Sequence, residues 1–422
     1  MTAGSRIIVV ASTAAYQTDD FVRAAERMGV EVGLGTDRCH VLAETWAEGA
    51  LPLDFRDPIA AADALVAAAR AQPIDGLVAT DERTSYIAAL AAARLGLRGN
   101  PPEAVHAAWN KLAFRRRLAA AGLLQPRFIE VAPVGREVVL AAAASIGYPV
   151  VIKPLHLSAS RGVMRADGVA ELAERSARLQ ALLADPEIRA GFPDGSQAAD
   201  RCVVEEFVAG PELALEGLLM NGALHTLALF DKPDPLDGPF FAETLYVAPA
   251  PLAPETAARV IAAVRDAAAA LGLIEGPVHA EIRWSDRGPM VLELAARSIG
   301  GLCARALQFG AGVSLEEVVI AHALGRAPAS LERGGTAATG VAMLPVPEAG
   351  VLRAIDGVEA ARARPGVTDV VITARVGDTV VPLPEGHTYM GFAFATGDSA
   401  HEVTATLREA AAAIRFRIAP RL

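Results

Sequence analysis

Two glutamates, Glu281 and Glu293, give the first sign of chemistry in this chain of 422 residues. Residues 278–284 (VHAEIRW) and 290–294 (MVLEL) alternate apolar and polar side chains, as half-buried strands do. Ser285-Asp286-Arg287-Gly288-Pro289 between them suits a three-residue hairpin loop with Gly288 in the left-handed position. Setting 285 opposite 289 places Glu281 directly across from Glu293, with Cβ atoms about 4.5–5.5 Å apart. Like charges so opposed repel, and more strongly where water is excluded. A hard divalent cation held by both carboxylates and bridging to phosphates relieves that repulsion. On an exposed face, Arg283 or Arg297 would serve the same end.

Lysine is the second signal. Of 39 basic residues only Lys111, Lys153 and Lys232 are lysines. In so arginine-rich a chain, a lysine marks a place that wants a compact point charge on a thin stem rather than a planar fork. Lys153 closes the apolar run 148–153 and precedes Leu-His-Leu-Ser-Ala-Ser-Arg-Gly-Val at 155–163. Small residues there let backbone N–H groups approach phosphate oxygens beside the cation. The chain has no G-x-x-x-x-G-K-[ST], so this is not a P-loop. A strand-end lysine ahead of a surface loop is the plainer alternative. Val203-Val204-Glu205-Glu206-Phe207-Val208, then Ala209-Gly210-Pro211-Glu212, reads as a strand, a sharp turn and a second strand opening on an acid. Extended backbone can pair with an adenine edge, and a later carboxylate can accept from ribose hydroxyls. Exposed acids on a strand face are the alternative. Lys232, in Asp231-Lys232-Pro233, either approaches substrate or phosphates or caps a turn.

The first hundred residues read as β-α-β-α-β: strand 7–11, a helix from about 19, strand 30–34, a helix from 58 and strand 76–80. This order predicts a parallel sheet with ligands beyond its carboxyl ends. Thr80, Asp81 and Glu82 occupy such an end, with a helix N-cap and its first-turn acids as the simpler reading. No G-x-G-x-x-G follows the first strand, so a dinucleotide fold is not supported. Asn100-Pro101-Pro102 marks a boundary, and one helix carrying Trp109, Leu112 and Leu118 runs to Gly122. Strand 127–131, helix 135–146, strand 149–153 and a helix around 169–184 follow, with 185–200 as a loop. Strands then crowd 202–231 and 240–248 before a helix at 253–271 and the hairpin. A mixed segment after about 330 ends in a strand at 391–396 and a helix at 400–414.

Composition narrows the class of protein. With 52% hydrophobic residues, 21% charged and a net charge of -10, the chain is globular and lacks the basic blocks of a nucleic-acid binder. Cys39, Cys202 and Cys303 lie far apart without C-x-x-C spacing, against structural zinc and a disulfide framework and in favour of a reducing cytoplasm. Ile7 to Ala11 is too short for a signal-peptide core, and no run approaches the ~18 apolar residues of a membrane span.

In this order and spacing the pieces resemble the ATP-grasp superfamily over almost the whole chain. Asn110-Lys111 with Phe114 and Arg115 resembles its first ATP lysine, Lys153 its second, and Ser158 to Gly162, with Ser160 between, its phosphate-covering loop. Residues 205–212 are similar to its adenosine-binding hinge. That likeness implies that Glu205 and the backbone of Glu206 and Val208 face adenine, and Glu212 the ribose. Glu281 and Glu293 fall on its magnesium carboxylates, and Arg297 on the arginine that holds the transferred phosphate. Many relatives carry a metal-binding asparagine where this chain has Ala295. The variant E-x-x-A-R-x-x-G-G at 293–301 resembles the L-amino-acid ligase branch, which makes dipeptides from free amino acids. Phe241 to Tyr246 with Pro249 looks like the same branch, which implies that Glu243 meets the amino group of the acyl substrate with Tyr246 nearby.

The resemblance implies a multidomain α/β and α+β chain, an ATP-grasp fold behind an N-terminal Rossmann-like pre-ATP-grasp domain. The expected division is 1–100 for that first domain, 101–185 for a subdomain with linker helix and ATP lid, 186–330 for metal and substrate sites, and 331–422 for a C-terminal α+β subdomain. The implied activity is an ATP-dependent, ADP-forming carboxylate-amine ligase acting through an acylphosphate and joining amino acids into a dipeptide or related amide. Arg297, with donors from Ser298 to Gly301 and Gly300 among them, would hold the acylphosphate. The alternatives are another ATP-grasp ligase, of carboxylase or nucleotide-biosynthesis type, and a non-catalytic nucleotide-binding regulator. The implied cofactors are ATP with Mg2+, or Mn2+ in its place. The implied partners are a small carboxylate and an amine, without nucleic acid or membrane; a homodimer stays open, and the expected location is the cytoplasm.

Overall fold

The computed structural model describes residues 4–37, 50–132, 134–310, 312–335 and 337–421. Cys39 lies outside the described residues. The first unit is a parallel sheet in the order Ala50–Pro52, Glu31–Thr36, Arg6–Val10, Gly76–Ala79. Ile8, Val10, Leu65 and Ile87 form the core between this sheet and the helices Pro58–Ala71 and Glu82–Leu95. The strand ends open on a large cavity lined by Ser12, Asp37 and Thr80, the place where such sheets bind ligands.

Two helices stand where one was expected. Asn110 has extended backbone (φ -80°, ψ 107°), which ends the helix Pro102–Trp109. Its Oδ1 then accepts from the N–H groups of Leu112 and Ala113, both at 3.1 Å, and so caps the helix Lys111–Ala120. Local capping chemistry outcompetes the continuous apolar periodicity, and it fixes Lys111 in a first turn.

The next unit is an antiparallel sheet ordered Phe128–Val131, Cys202–Glu206, Val150–Pro154, Met164–Ala166. Helices Arg136–Ile146 and Val169–Leu183 cover it around Val131, Ile152, Met164, Leu179 and Val204. This sheet takes strands from both sides of the 185/186 division expected from sequence. The stretch 185–200 holds the short helix Pro186–Ala190, capped by Asp185, and a 3-10 turn at Ser196–Asp200.

The largest sheet has eight strands, in the order Gly288–Ala295, Gly276–Ser285, Glu212–Met220, Ala223–Lys232, Leu245–Ala248, Ala338–Pro345, Tyr389–Gly397, Val367–Ile372. Helix Pro254–Leu271 buries Val260, Val264 and Leu271 against Leu215, Ile282 and Leu294. Helix Ala400–Ala413 packs Val403 and Leu407 with Val247, Leu344 and Met390. Strands of the C-terminal segment therefore continue the sheet that carries the two acids. A small sheet of Thr379–Val380, Gly350–Asp356 and Arg415–Ala419 completes the fold.

The acid hairpin departs from the expected loop yet keeps the expected pairing. Ser285 pairs with Gly288, so the loop is two residues long and Gly288, at φ +120°, already belongs to its strand. This register holds to Ile282 opposite Val291, and then a bulge at Leu292 restores Glu281 opposite Glu293. Cys202 and Cys303 are buried free thiols. Among the described residues no helix is long and apolar enough to cross a membrane.

Candidate active site

Two adjoining cavities lie where the sheets meet, and they share Ser160, Glu243, Glu281 and Glu293 as walls. The first is also lined by Lys111, Lys153, Glu205, Glu206, Val208 and Glu212. The second, of about 470 Å³, is also lined by Ser158, Tyr246, Arg297 and Gly300. Every site residue anticipated from the sequence thus borders one or other of these two adjoining cavities. Glu82, Tyr16, Met343 and Tyr389 border it too, brought in from the N-terminal domain and the C-terminal strands.

At the lysine end each cation already has a carboxylate. Lys153 Nζ lies 2.8 Å from Glu205, whose oxygens also take Arg115 Nε at 2.7 Å and Nη2 at 3.1 Å. Arg115 is 1% exposed and donates further to the carbonyls of Val291, at 3.0 Å, and Leu292, at 2.9 Å. Burial alone would raise the Glu205 carboxyl, but Arg115 and Lys153 outweigh it and hold it at about 2. Both oxygens of the Glu205 carboxylate are therefore engaged by two cations at the wall of the cavity. Lys111 Nζ donates to the Leu157 carbonyl at 2.8 Å and stands 3.8 Å from Glu293. Ala159 and Ser160 have φ of +53° and +57°, a left-handed pair that turns the loop over the cavity at a cost of roughly 1–2 kcal/mol each.

Lys232 is the hub of the acids. Its ammonium, 2% exposed, contacts Glu212 and, at 2.8 Å, Glu243. The other Glu212 oxygen accepts from Arg283 Nε at 2.8 Å, and Arg283 Nη1 donates to the Val208 carbonyl at 2.8 Å. Glu212 thus reaches the cavity with both oxygens engaged. Carboxylate oxygens of Glu212, Glu243 and Glu281 come within 4.8 Å of one another. Burial drives the Glu281 carboxyl up to about 8, with Lys232 opposing and Glu243, Glu212 and Glu293 adding to the rise. A carboxylate so disfavoured by burial and by its neighbours, facing an open space, suits a divalent cation with oxygen ligands. The second Glu243 oxygen is buried without a hydrogen-bond partner.

At the far end, Arg297 Nε donates to Glu82 at 3.0 Å, and Ser158 Oγ donates to the other Glu82 oxygen at 2.8 Å. Asp81 is the helix cap, in a capping box with Thr84, so the N-cap reading holds for Asp81 while Glu82 beside it faces the site. Burial keeps the Arg297–Glu82 pair out of water, and each partner holds the other charged. The loop after Arg297 is fixed from below by Glu216. That fully buried acid accepts from the Ile299 N–H at 3.1 Å and lies 3.1 Å from His279 Nδ1. Of the donors expected between Ser298 and Gly301, the Ile299 N–H is therefore already used. Glu216 and His279 escape sequence reading because they work through each other across 63 residues, and Arg115, read there only beside Lys111, works through Glu205, 90 residues away.

Comparison with known proteins agrees with this geometry. Residues 22–99 match the ATP-grasp N-terminal domain, 146–306 the ATP-grasp domain, and 342–419 the L-amino acid ligase C-terminal domain 2. The L-amino acid ligase of Bacillus licheniformis superposes with a TM-score of 0.79 at 28% identity, covering 99% of each chain. The uncharacterized protein y4rH of Sinorhizobium fredii is 31% identical over 77% of this chain and 64% of its own length. The alanine–anticapsin ligase of Bacillus subtilis is 27% identical over 52% of this chain and 48% of its own. The chain thus spans about half to two thirds of those two relatives. The chain belongs to the ATP-grasp superfamily, in the branch that carries the L-amino acid ligase C-terminal domain.

Proposed function

We propose that this chain is an ATP-dependent, ADP-forming carboxylate-amine ligase that joins amino acids into a dipeptide or related amide through an acylphosphate. The observation that carries the reading is that Glu281 and Glu293 stand between the cavity lined by Lys111 and Lys153 and a chamber of about 470 Å³ lined by Arg297. That volume lies within the ~300–1,000 Å³ of small-molecule sites. ATP would lie against the lysines, with the wall of Leu292, Phe207 and Val208 beside its base. Glu281 and Glu293, with Glu243 close by, would hold Mg2+, which supplies charge neutralisation for the triphosphate.

In the first step a substrate carboxylate oxygen bonds to the γ-phosphorus, the bond to the β-phosphate oxygen breaks, and ADP leaves. In the second an amine attacks the acyl carbon, the amide forms, and inorganic phosphate leaves. This chemistry is mainly positioning and charge stabilisation. Lys153 and Lys111 orient the phosphates; Arg297 holds the transferred phosphoryl; the unpartnered Glu243 oxygen receives the amino group of the acyl substrate, beside Tyr246. The acylphosphate must be kept from water. Loop 158–162 serves that end, pinned to the C-terminal segment by Gly162 N–H to Pro384 at 2.9 Å and Arg161 Nε to Glu385 at 2.7 Å. The reading places the enzyme in the cytoplasm, where its thiols stay reduced.

The test is ADP release with Mg2+ and ATP against amino acids and other small carboxylates, singly and in pairs, with mass detection. Release that needs a pair, with a product lighter than the sum by one water, supports the ligase. Release with bicarbonate and one acceptor points to a carboxylating relative. Silence from protein that binds ATP by calorimetry favours a regulator, and no ATP binding overturns the reading.

A further inference from the structure

We propose that His106, His156 and Asp194 form a binding site for a divalent transition-metal ion of the zinc class, distinct from the magnesium acids and independent of the ligase reading. The three come from separate segments: the helix Pro102–Trp109, the loop after strand Val150–Pro154, and the turn after helix Pro186–Ala190. One ligand atom from each lies within 4.8 Å of the other two. His106 Nε2 is 2.8 Å from one Asp194 oxygen, and His156 Nε2 is 3.3 Å from the other. His106 Nε2 is nevertheless buried without a well-directed hydrogen bond, although it faces the cluster. Two imidazole nitrogens and a carboxylate oxygen within 4.8 Å of one another are a zinc donor set with room for a fourth ligand.

The surroundings fit the same ion. Asn110 has its carbonyl oxygen committed to the helix cap, so its amide N–H groups are turned toward the cluster. There it donates to Asp194 at 2.9 Å and lies 3.1 Å from His156 Nε2. Such an outer hydrogen bond to a ligating carboxylate orients it. His156 is 1% exposed, whereas Asp194 is 40% exposed on an open groove beside Gln197, which gives an entry path and water for the fourth position. The nitrogen donors separate this site from Glu281 and Glu293, whose oxygen-only set suits a harder cation. The ion would tie the lid to the linker helices beside Lys111, which already holds Leu155 and Leu157 on either side of His156.

The experiment uses untagged full-length protein, stripped with a chelator and then titrated without nucleotide. Zn2+ is followed by competition with a chromophoric chelator, and Co2+ by its visible absorption. The expected result is uptake of about one tightly held Zn2+ and an intense tetrahedral Co2+ spectrum. Both should be kept in Glu281→Gln and lost in Asp194→Asn and in His106→Gln. Zinc should also raise the melting temperature of the parent but not of the two variants. Asp194 and His106 are partly exposed, so both variants should melt like the stripped parent. Uptake equal in parent and Asp194→Asn, or uptake lost only in Glu281→Gln, overturns the proposal, as does the absence of any tight Zn2+.

Discussion

Glu82 and Arg297 are joined at 3.0 Å across 215 residues of sequence, and this pair couples the N-terminal domain to the arginine proposed to hold the phosphoryl group. Ser158 of the covering loop bonds to the same carboxylate at 2.8 Å. One acid therefore touches the first domain, the loop and the arginine.

Replacing Glu82 with Gln keeps the shape and removes the charge. Arg297 then loses its fixed bearing, and misplacement of a positioning group costs about 10²-fold. We expect kcat/KM for ADP release to fall by about that factor, with the melting temperature changed far less. Steady-state kinetics beside thermal denaturation check this, and equal loss of folding and activity would show a purely structural role.

Removing Lys232 leaves Glu212 and Glu243 buried without their shared cation. Lys232→Met is expected to destabilise the fold by about 3–5 kcal/mol, the usual cost of breaking a buried ion pair. Adding Glu243→Gln should restore part of the loss. Urea denaturation of the single and double variants is the measurement, and no recovery in the double variant would argue against coupling of the two groups.

Proton linkage at Glu281 has a defined sign. Its folded value of about 8 lies above the ordinary 4.5, with burial as the main cause. At pH below the ordinary value both states are protonated. Between the two values the unfolded chain has lost the proton that the folded chain keeps, so stability falls as pH rises and levels off above about 8. Denaturation midpoints from pH 5 to 9 without divalent ions should show this fall, and Glu281→Gln should flatten it. Mg2+ binding should release a proton near neutral pH, read by calorimetry in buffers of different ionisation enthalpy.

The lid clasp is testable apart from chemistry. Arg178 grips Glu385 through two bonds, at 2.9 and 2.8 Å, beside the Gly162 contact to Pro384. A half-exposed pair of this kind is worth little to global stability, about 0–1 kcal/mol. Glu385→Gln should therefore leave the melting temperature nearly unchanged while amide exchange in 158–162 speeds up. Unchanged exchange would mean that the backbone contact alone holds the loop.

Local patterns made much of the site legible. The alternation around Glu281 and Glu293 was enough to pair them, although two deviations cancelled: a loop one residue shorter than expected and a bulge of one residue at Leu292. The scarcity of lysine marked Lys111, Lys153 and Lys232, and all three sit among the site's acids. What periodicity could not disclose are the buried partners. Glu205 reads as a base-facing acid until Arg115, 90 residues earlier in the chain, is seen to claim both its oxygens. Glu82 reads as an ordinary first-turn acid because its role depends on where Arg297 arrives. Long-range ion pairs leave no trace in the spacing of either partner.

The eight-stranded sheet has a consequence for how such an enzyme changes its preferences. Met343 and Tyr389, on or at the start of C-terminal strands, face the same chamber as Glu281 and Arg297, and within the sheet the four-residue strand Leu245–Ala248 joins the C-terminal strands to those that carry the acids. The residues that would meet a substrate's side chain and those that would handle its phosphate thus occupy separate stretches of one rigid ladder. Substitution at the C-terminal strands can reshape the chamber wall without moving the acids, whereas any change that slips Leu245–Ala248 by one residue would displace both at once.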